Sequence, residues 1–443
     1  MNIFQSNIER ALLRFGLPIF LALLISYAIV TKSHLLMPAL GSLGLLVLFI
    51  MKFEIVFPFL LIFRSTLDSF SEIGFELGPI TFNVPAGLST FIDIAGLFYF
   101  LGLITAKKVV LFDRVAKSYG IWLLLLSIWV WLAYRNFGQE GLVGVREWVR
   151  LFSIFAIYFL SLQLANLKGY KYLVASVMLS LVVPLSMALY QTLFSATTMR
   201  VQGTFIHPNA FALYLILCIG LTFWTLKFSV RKKPWFFLLV LELFVLWNTF
   251  SIGGAISFSV FGTVLIIKET WKKTKYIFVI MMMFFLVLSG LVLSELGKKR
   301  FQELEQTPRL QEMIKEEIVT NSLSWRIVNW KKLFQEWSRR PLMGYGLDTC
   351  GKLVSPWKNE AHNDYIRYLV ELGIIGLIPY LLLVRAIGVD IWKKYKGNKD
   401  EQKGYLALIV FAIFLSWTVG AIWDNHITAT AFQFYFWAIL AAI

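Results

Sequence analysis

Along the chain, apolar blocks of roughly 17 to 23 residues alternate with polar joins, a length that lets a helix cross about 30 Å of hydrocarbon. They fall near 12–30, 35–51, 53–63, 88–106, 119–134, 151–166, 172–194, 209–226, 234–250, 252–268, 276–294, 363–386, 404–422 and 427–443. The pattern predicts an all-α, polytopic integral membrane protein with about 12–14 transmembrane helices, the number turning on whether the short 53–63 block crosses. The joins "NTFSIGG" and "WDNHIT" read as tight turns between paired helices. One join is long, polar and helix-prone, and predicts a large helical outer-face loop lying along the membrane or over the bundle. The chain thus divides into N-terminal transmembrane helices (1–294), a periplasmic or extracellular loop (295–361) and C-terminal transmembrane helices (362–443), one membrane domain overall. The first block follows Glu9, Arg10 and Arg14 with no small-residue cleavage site after it, so it reads as a first span, not a cleaved signal.

Composition agrees: 58% hydrophobic and 15% charged residues make this 443-residue chain too apolar for a soluble globular fold. The net charge of +16 raises the question of nucleic acid, but its placement argues for topology instead. Lysines gather in alternate joins, as at Lys107, Lys108 and Lys117, at Lys168 and Lys171, and at Lys227, Lys232 and Lys233. The series continues through Lys268, Lys272, Lys273 and Lys275 to Lys393, Lys394, Lys396, Lys399 and Lys403. By the positive-inside rule these joins face the cytoplasm. The short joins on the other side carry arginine: Arg64, Arg135, Arg146, Arg150 and Arg200. An arginine fork grips phosphate oxygens bidentately, so this set points to an anionic ligand. The plainer alternative is that Arg146 and Arg150 snorkel to the interface. The spans read as nearly uncharged.

Two cysteines, Cys218 and Cys350, make no disulfide framework. No cluster of His, Cys, Asp or Glu has metal-ligand spacing, so neither a metal nor a cofactor is expected. A carboxylate-and-metal chemistry would have to use the acidic outer join at Asp68, Glu72 and Glu76.

Three outer elements carry usable chemistry. In "MRVQGTFIHPNAFALYL", Arg200 and Gly203 precede a helix opened by Pro208 and Asn209, whose free N–H groups make an anion site beside an arginine. In "SLSWRIVNWKKLFQEWSRRPLMGYG", a helix capped by Ser324 carries Arg326, Asn329, Trp330, Leu333 and Trp337 on one face. It stops at Pro341, before a turn at Gly344 and Gly346. In "NEAHNDYIRYLVELGIIG", His362, Asn363 and Asp364 open a hydrophobic helix. A histidine with an ordinary pKa of about 6.5 suits proton abstraction near neutral pH. Rival readings stay open: His362 and Asn363 as a helix cap, Asp364 or His207 as the base, Asp364 paired with Arg367 or Tyr368, and His426 with Asp424 and Asn425 as a structural turn. Trp325, Trp330 and Trp337 read more readily as interface anchors than as sugar platforms.

In this order the fragments resemble the O-antigen ligase and polymerase superfamily of bacterial membrane glycosyltransferases. The resemblance rests on the Arg-x-x-Gly and Pro-Asn pattern from Arg200 to Asn209, on "WRIVNW" followed by "PLMGYG", and on "AHNDYIRYLVELGIIGL" after the long loop. It implies an enzyme of the cytoplasmic (inner) membrane whose active site faces the periplasm or cell exterior. The implied donor is an undecaprenyl-diphosphate-linked oligosaccharide. The acceptor is a glycan or lipid-linked glycan: a lipid A–core sugar for a ligase, a second lipid-linked repeat for a polymerase. Metal-free, inverting transfer is implied, with membrane lipids and other polysaccharide-assembly proteins as further partners and no nucleic acid.

On this reading His362 is the base, while Arg200 and Arg326 hold the diphosphate with Arg146 or Arg150 in support. Asn363, Asp364, His207, Asn209 and Trp330 serve the acceptor or support the site. One departure stands out: members commonly carry Ser-Arg at the turn matching "NTFSIGGAISF", whereas Ser251 is followed here by Ile252. Either Arg146 or Arg150 supplies that charge or the diphosphate site is built differently, and the departure tips the reading slightly toward a polymerase over a ligase. The rival of another class is a transporter or flippase of the same lipid-linked glycan, which would keep its charges at the midplane and show inverted repeats.

Overall fold

The computed structural model describes residues 36–77, 80–108, 110–194, 200–270, 298, 302, 305–353 and 360–443. The first described stretch runs through α1 (Leu36–Met51), α2 (Phe53–Arg64), β1 (Gly74–Leu77), β2 (Ile80–Asn83), α3 (Val84–Thr105), α4 (Arg114–Phe137), α5 (Val143–Lys168), α6 (Tyr170–Leu179) and α7 (Val182–Phe194). Next come α8 (Pro208–Phe228), α9 (Lys232–Asn248) and α10 (Ile252–Thr270), then the loop helices α11 (Leu310–Glu316) and α12 (Ser322–Arg339). The chain closes with α13 (Asp364–Gly397), α14 (Glu401–Gly420) and α15 (Thr430–Ala442).

This is an all-α polytopic membrane protein, as the apolar blocks predict. Among the described residues, 6 helical stretches are long and apolar enough to cross a membrane, and Gly41–Met51, Ile252–Lys268 and Thr430–Ala442 are apolar but shorter. Every predicted block on described residues lies on an apolar helix; those at 12–30 and 276–294, and the N-terminal Glu9, Arg10 and Arg14, lie outside them. The departure from helix among the described residues falls in the acidic join, where β1 and β2 pair antiparallel with Gly74 opposite Asn83 and Leu77 opposite Ile80. Asn83 then caps α3, its side chain accepting from the Ala86 N–H at 3.1 Å with Pro85 at the helix start.

A helix apolar on every face belongs inside a bundle. α15 is the case in point: Ala431 to Ala442 are all buried, chiefly against α5. Its Tyr435 hydroxyl donates to the Leu61 carbonyl and accepts from the Ser65 N–H, each at 2.8 Å. That contact satisfies backbone groups at the end of α2, where Arg64 stands.

The starts of α3, α5, α8 and α15 meet the end of α2 around one cavity. The other ends of α3, α5, α8 and α13 lead into the lysine-bearing joins at Lys107, Lys168, Lys227 and Lys394. The bundle therefore has a lysine end and a cavity end.

α13 is broken at Gly373, where φ is 62° and ψ −173°, a conformation only glycine adopts easily. A break inside an apolar helix frees backbone groups that must find partners. The "PLMGYG" segment supplies them. Ile374 and Ile375 donate to the Pro341 and Leu342 carbonyls at 2.9 and 3.1 Å, and the Glu371 carbonyl accepts from Tyr345 and Gly346 at 3.1 and 2.8 Å. α12 packs beside the first half of α13, burying Leu333 with Ile366 and Val370. Its cap is Asn321 and not Ser324: the Asn321 side chain accepts from the Leu323 and Ser324 N–H groups, while Ser324 Oγ returns the bond to the Asn321 N–H. A serine three residues inside a helix looks like a cap in sequence, and here it is the reciprocal member of a capping box.

Candidate active site

The cavity holds about 840 Å³, within the range of small-molecule sites. Its wall combines Arg64, Arg146, Arg150, His207, His362 and Asp424 with apolar residues from α3 and α15.

His362 is fixed on three sides. Its Nδ1 lies 3.0 Å from Asp424 Oδ1, the Trp325 ring meets it edge-on at 5.3 Å, and Trp330 Nε1 donates to the preceding Ala361 carbonyl at 2.8 Å. Asn363 makes the cap of α13, accepting from Tyr365 and Ile366 at 2.9 Å, which leaves the histidine ring out of the capping role. With Nδ1 held by a carboxylate, Nε2 is the nitrogen left for acid–base work. Burial opposes ionisation of Asp424, yet the His362 hydrogen bond, the neighbouring His426 and Asn209 together hold its carboxyl below the usual range.

Asp424 connects to the start of α8. Its Oδ2 accepts from Asn209 Nδ2 at 2.7 Å, and Asn209 Oδ1 accepts from Arg200 Nη2 and from Ser251 Oγ, both at 2.8 Å. Arg200 Nε also donates to the Thr249 carbonyl at 2.9 Å. The guanidinium that reaches the Ser251 turn, where the following residue is Ile252, is therefore that of Arg200, and neither Arg146 nor Arg150 bonds there. His207 caps α8, its Nδ1 accepting from the Asn209 N–H at 3.2 Å.

A second cluster runs from the wall into the bundle. Arg367, 1% exposed, reaches Glu147 at 3.1 Å, Asp348 at 2.8 Å and Glu371 at 3.2 Å. Glu147 in turn takes both Nε and Nη2 of Arg150, at 2.7 and 2.5 Å, and Asp348 pairs with Arg146 at 3.0 Å. Glu371 also accepts from the Asp348 and Cys350 N–H groups at 2.9 and 3.2 Å. Three guanidinium groups meet three carboxylates. The expectation of nearly uncharged spans gives way here: Arg367 and Glu371 are buried within an apolar helix, as are Asp93 and Glu242 in others, and Glu147 is buried just before the predicted 151–166 block. Each has a partner to offset desolvation, a serine hydroxyl for Asp93 and a threonine hydroxyl for Glu242.

The residues singled out in the sequence are dispersed. His362, His207, Arg146 and Arg150 line the cavity, whereas Asn209 stands one hydrogen bond from Asp424 and Arg200 a second bond beyond it. Arg326 is not part of the wall and turns its Nη1 to Ser322 on its own helix. Asp364 is buried and does not line the cavity, its Oδ2 accepting from the Ile427 N–H at 2.9 Å. Trp330 braces the backbone before His362.

One feature escaped the sequence reading, and another was named there only as one of a set of outer arginines. Asp424, taken with a structural turn, is the partner of His362. Arg64, 2% exposed, joins the wall while paired with Asp68 at 2.6 Å and lying over the Phe434 ring. The Arg367 cluster did have a signal: Arg and Glu at i,i+4 inside an apolar run, which is anomalous in a span, and Glu147 three residues before Arg150 at the edge of the 151–166 block.

A polytopic membrane protein with a histidine–carboxylate pair and several guanidinium groups around one cavity is the class that fold and site define. Residues 236–381 match the family model described as O-antigen ligase, a stretch that contains Ser251, Arg326, His362 and Arg367 but not Arg146, Arg200 or Asp424. A Rickettsia conorii protein named as a polysaccharide ligase is 25% identical over 239 residues, 49% of this chain and 54% of that protein. The chain thus spans about half the length of this curated relative. Both findings point the same way as the spaced motifs: residues 236–381 are similar to the O-antigen ligase family.

Proposed function

We propose that the protein transfers an oligosaccharide from undecaprenyl diphosphate to a glycan or lipid-linked acceptor, polymerising or ligating surface polysaccharide at the outer face of the cytoplasmic membrane. The observation that carries this reading is the His362–Asp424 pair facing a cavity that also holds Arg146, Arg150 and Arg64. The acceptor hydroxyl attacks the anomeric carbon as the bond from that carbon to the diphosphate oxygen breaks, which inverts the centre. The hydroxyl proton passes to His362 Nε2, and Asp424 stabilises the resulting imidazolium. Undecaprenyl diphosphate leaves with the bonding electrons, its charge met by fixed guanidinium groups. The lysine-bearing ends opposite the cavity support an outward site under the positive-inside rule.

The test is transfer in membranes supplied with lipid-linked glycan, following product length and release of undecaprenyl diphosphate. His362→Ala and Asp424→Asn should each lower transfer by about 10²–10⁴-fold with the protein still inserted. Near-normal transfer in both would remove the pair from the chemistry and turn the search to His207 and His426, the other histidines of the wall. Ladders of product indicate a polymerase, and a single addition indicates a ligase. The buried charges of α5 and α13 also suit a transporter of the same glycan. That reading predicts translocation with no diphosphate released.

A further inference from the structure

We propose that Arg367 is a positioning residue for donor binding, locking Glu147 and Asp348 so that Arg150 and Arg146 meet the two phosphates of a lipid diphosphate as one fixed pair. This rests on the donor reading above. The cluster is an alternating chain, Arg146–Asp348–Arg367–Glu147–Arg150, with Arg367 at its centre. Asp348 uses Oδ2 for Arg146 and Oδ1 for Arg367, while Glu147 Oε1 is shared between Arg150 and Arg367. Arg146, Asp348, Glu147 and Arg150 all line the cavity, but Arg367 does not, so it can act on a ligand only through them.

Glu371 fixes the centre by holding Arg367 Nε and the backbone N–H of Asp348 with the same carboxylate. Arg367 meets Glu371 through Nε and both Glu147 and Asp348 through Nη2, two nitrogens held apart in one plane; a lysine, with a single nitrogen, supplies the charge without that spread. The Arg367 N–H also bonds to the Asn363 carbonyl, next to His362, so one helix start carries both the base and the holder of the arginine pair. Without Arg367, three carboxylates, two of them in the wall, would be matched by two arginines beside a cavity that must receive an anion.

The test measures binding of undecaprenyl diphosphate against undecaprenol to the full chain in nanodiscs, with the thermal unfolding midpoint of every variant. Wild type should prefer the diphosphate. Arg367→Lys should keep its midpoint and lose on the order of 10²-fold of that preference, the cost of misplacing binding groups by about 1 Å. In a background lacking both ends of the chain, Arg146→Gln with Arg150→Gln, adding Arg367→Lys should change the preference by less than about threefold, because all three act through one contact. Preference intact in Arg367→Lys, or a full further loss in that background, overturns the positioning role. A wild type with no preference overturns the donor reading, and the positioning role with it. If Arg367→Lys lowers the midpoint, Asp348→Asn cuts the same chain from the loop side. A reduced preference there supports the proposal, and an unchanged one overturns it.

Discussion

His362 holds φ at 48°, a left-handed conformation that a residue with a Cβ adopts only when its surroundings over-determine it. Here they do, through the Trp330 bond behind it, the Asn363 cap ahead of it and the Asp424 carboxylate on its ring. The neighbouring His426 shows how the same turn responds to pH. It is buried, with its Nδ1 3.2 Å from the Trp417 carbonyl, and that burial holds its pKa below the ordinary value, with Asp424 partly offsetting. An unfolded chain protonates such a ring at about pH 6.5, so below that the unfolded state carries a proton the folded state resists. Stability is full above about pH 6.5 and is lost as the pH falls toward the lowered value. Asp424, held low, loses its own contribution only below the ordinary carboxylate range of about 3.9, outside this window. Thermal unfolding followed from about pH 7.5 to 5.5 should show a falling midpoint, and His426→Gln should flatten that slope. An unchanged slope in the variant would assign the dependence to another group.

At the scale of the element, α13 places the site through its break. A Cβ at Gly373 would stand 2.2 Å from the Leu342 carbonyl oxygen and force a Gly-only backbone conformation on an L-residue. Gly373→Ala should cost at least about 3 kcal/mol and detach the "PLMGYG" segment from the helix. Gly397→Ala, at the open end of the same helix with nothing within 4 Å, should be neutral or stabilise slightly. Unfolding midpoints of the two variants side by side check this, and equal midpoints would mean the break is adaptable. The apolar blocks made these helices legible, because burial in lipid or bundle leaves few other uses for such runs. The glycines of "PLMGYG" were visible as a turn, but Gly373 lay unmarked inside the predicted 363–386 span, and nothing showed the two as halves of one contact. The partners that make the site were hidden for the same reason: Asp424 is 62 residues from His362, and Glu147 is 220 from Arg367. Spacing along a helix reports i,i+4 neighbours, as for Arg367 and Glu371, and is blind to what packing brings across the bundle.

For the whole molecule, the proposed chemistry depends on which side of the membrane the cavity end faces. The cavity end gathers arginines that are already matched by carboxylates: Arg64 with Asp68, Arg146 with Asp348, Arg150 with Glu147. Paired in this way, they add little to the net positive charge that orients a helix during insertion. The opposite joins carry lysines in excess, such as Lys227, Lys232 and Lys233 around the turn from α8 to α9, and such charge is what retains a join in the cytoplasm. One probe at each end tells which side the cavity faces. Val230, 99% exposed in that lysine-bearing turn, and Ile206, 64% exposed at the cavity, are replaced singly by cysteine; the native Cys218 and Cys350 are both buried. A membrane-impermeant thiol reagent applied to intact cells should label Ile206→Cys and reach Val230→Cys only after permeabilisation. The reverse pattern would put the cavity in the cytoplasm. There, nucleotide-activated sugars and not outward-facing lipid-linked glycans would be the substrates to consider, and the lysine placement would have misreported the topology. Labelling of both from outside would mean that one of the two ends is not sealed by the bilayer, which would favour a pathway through the bundle over an enclosed outer site.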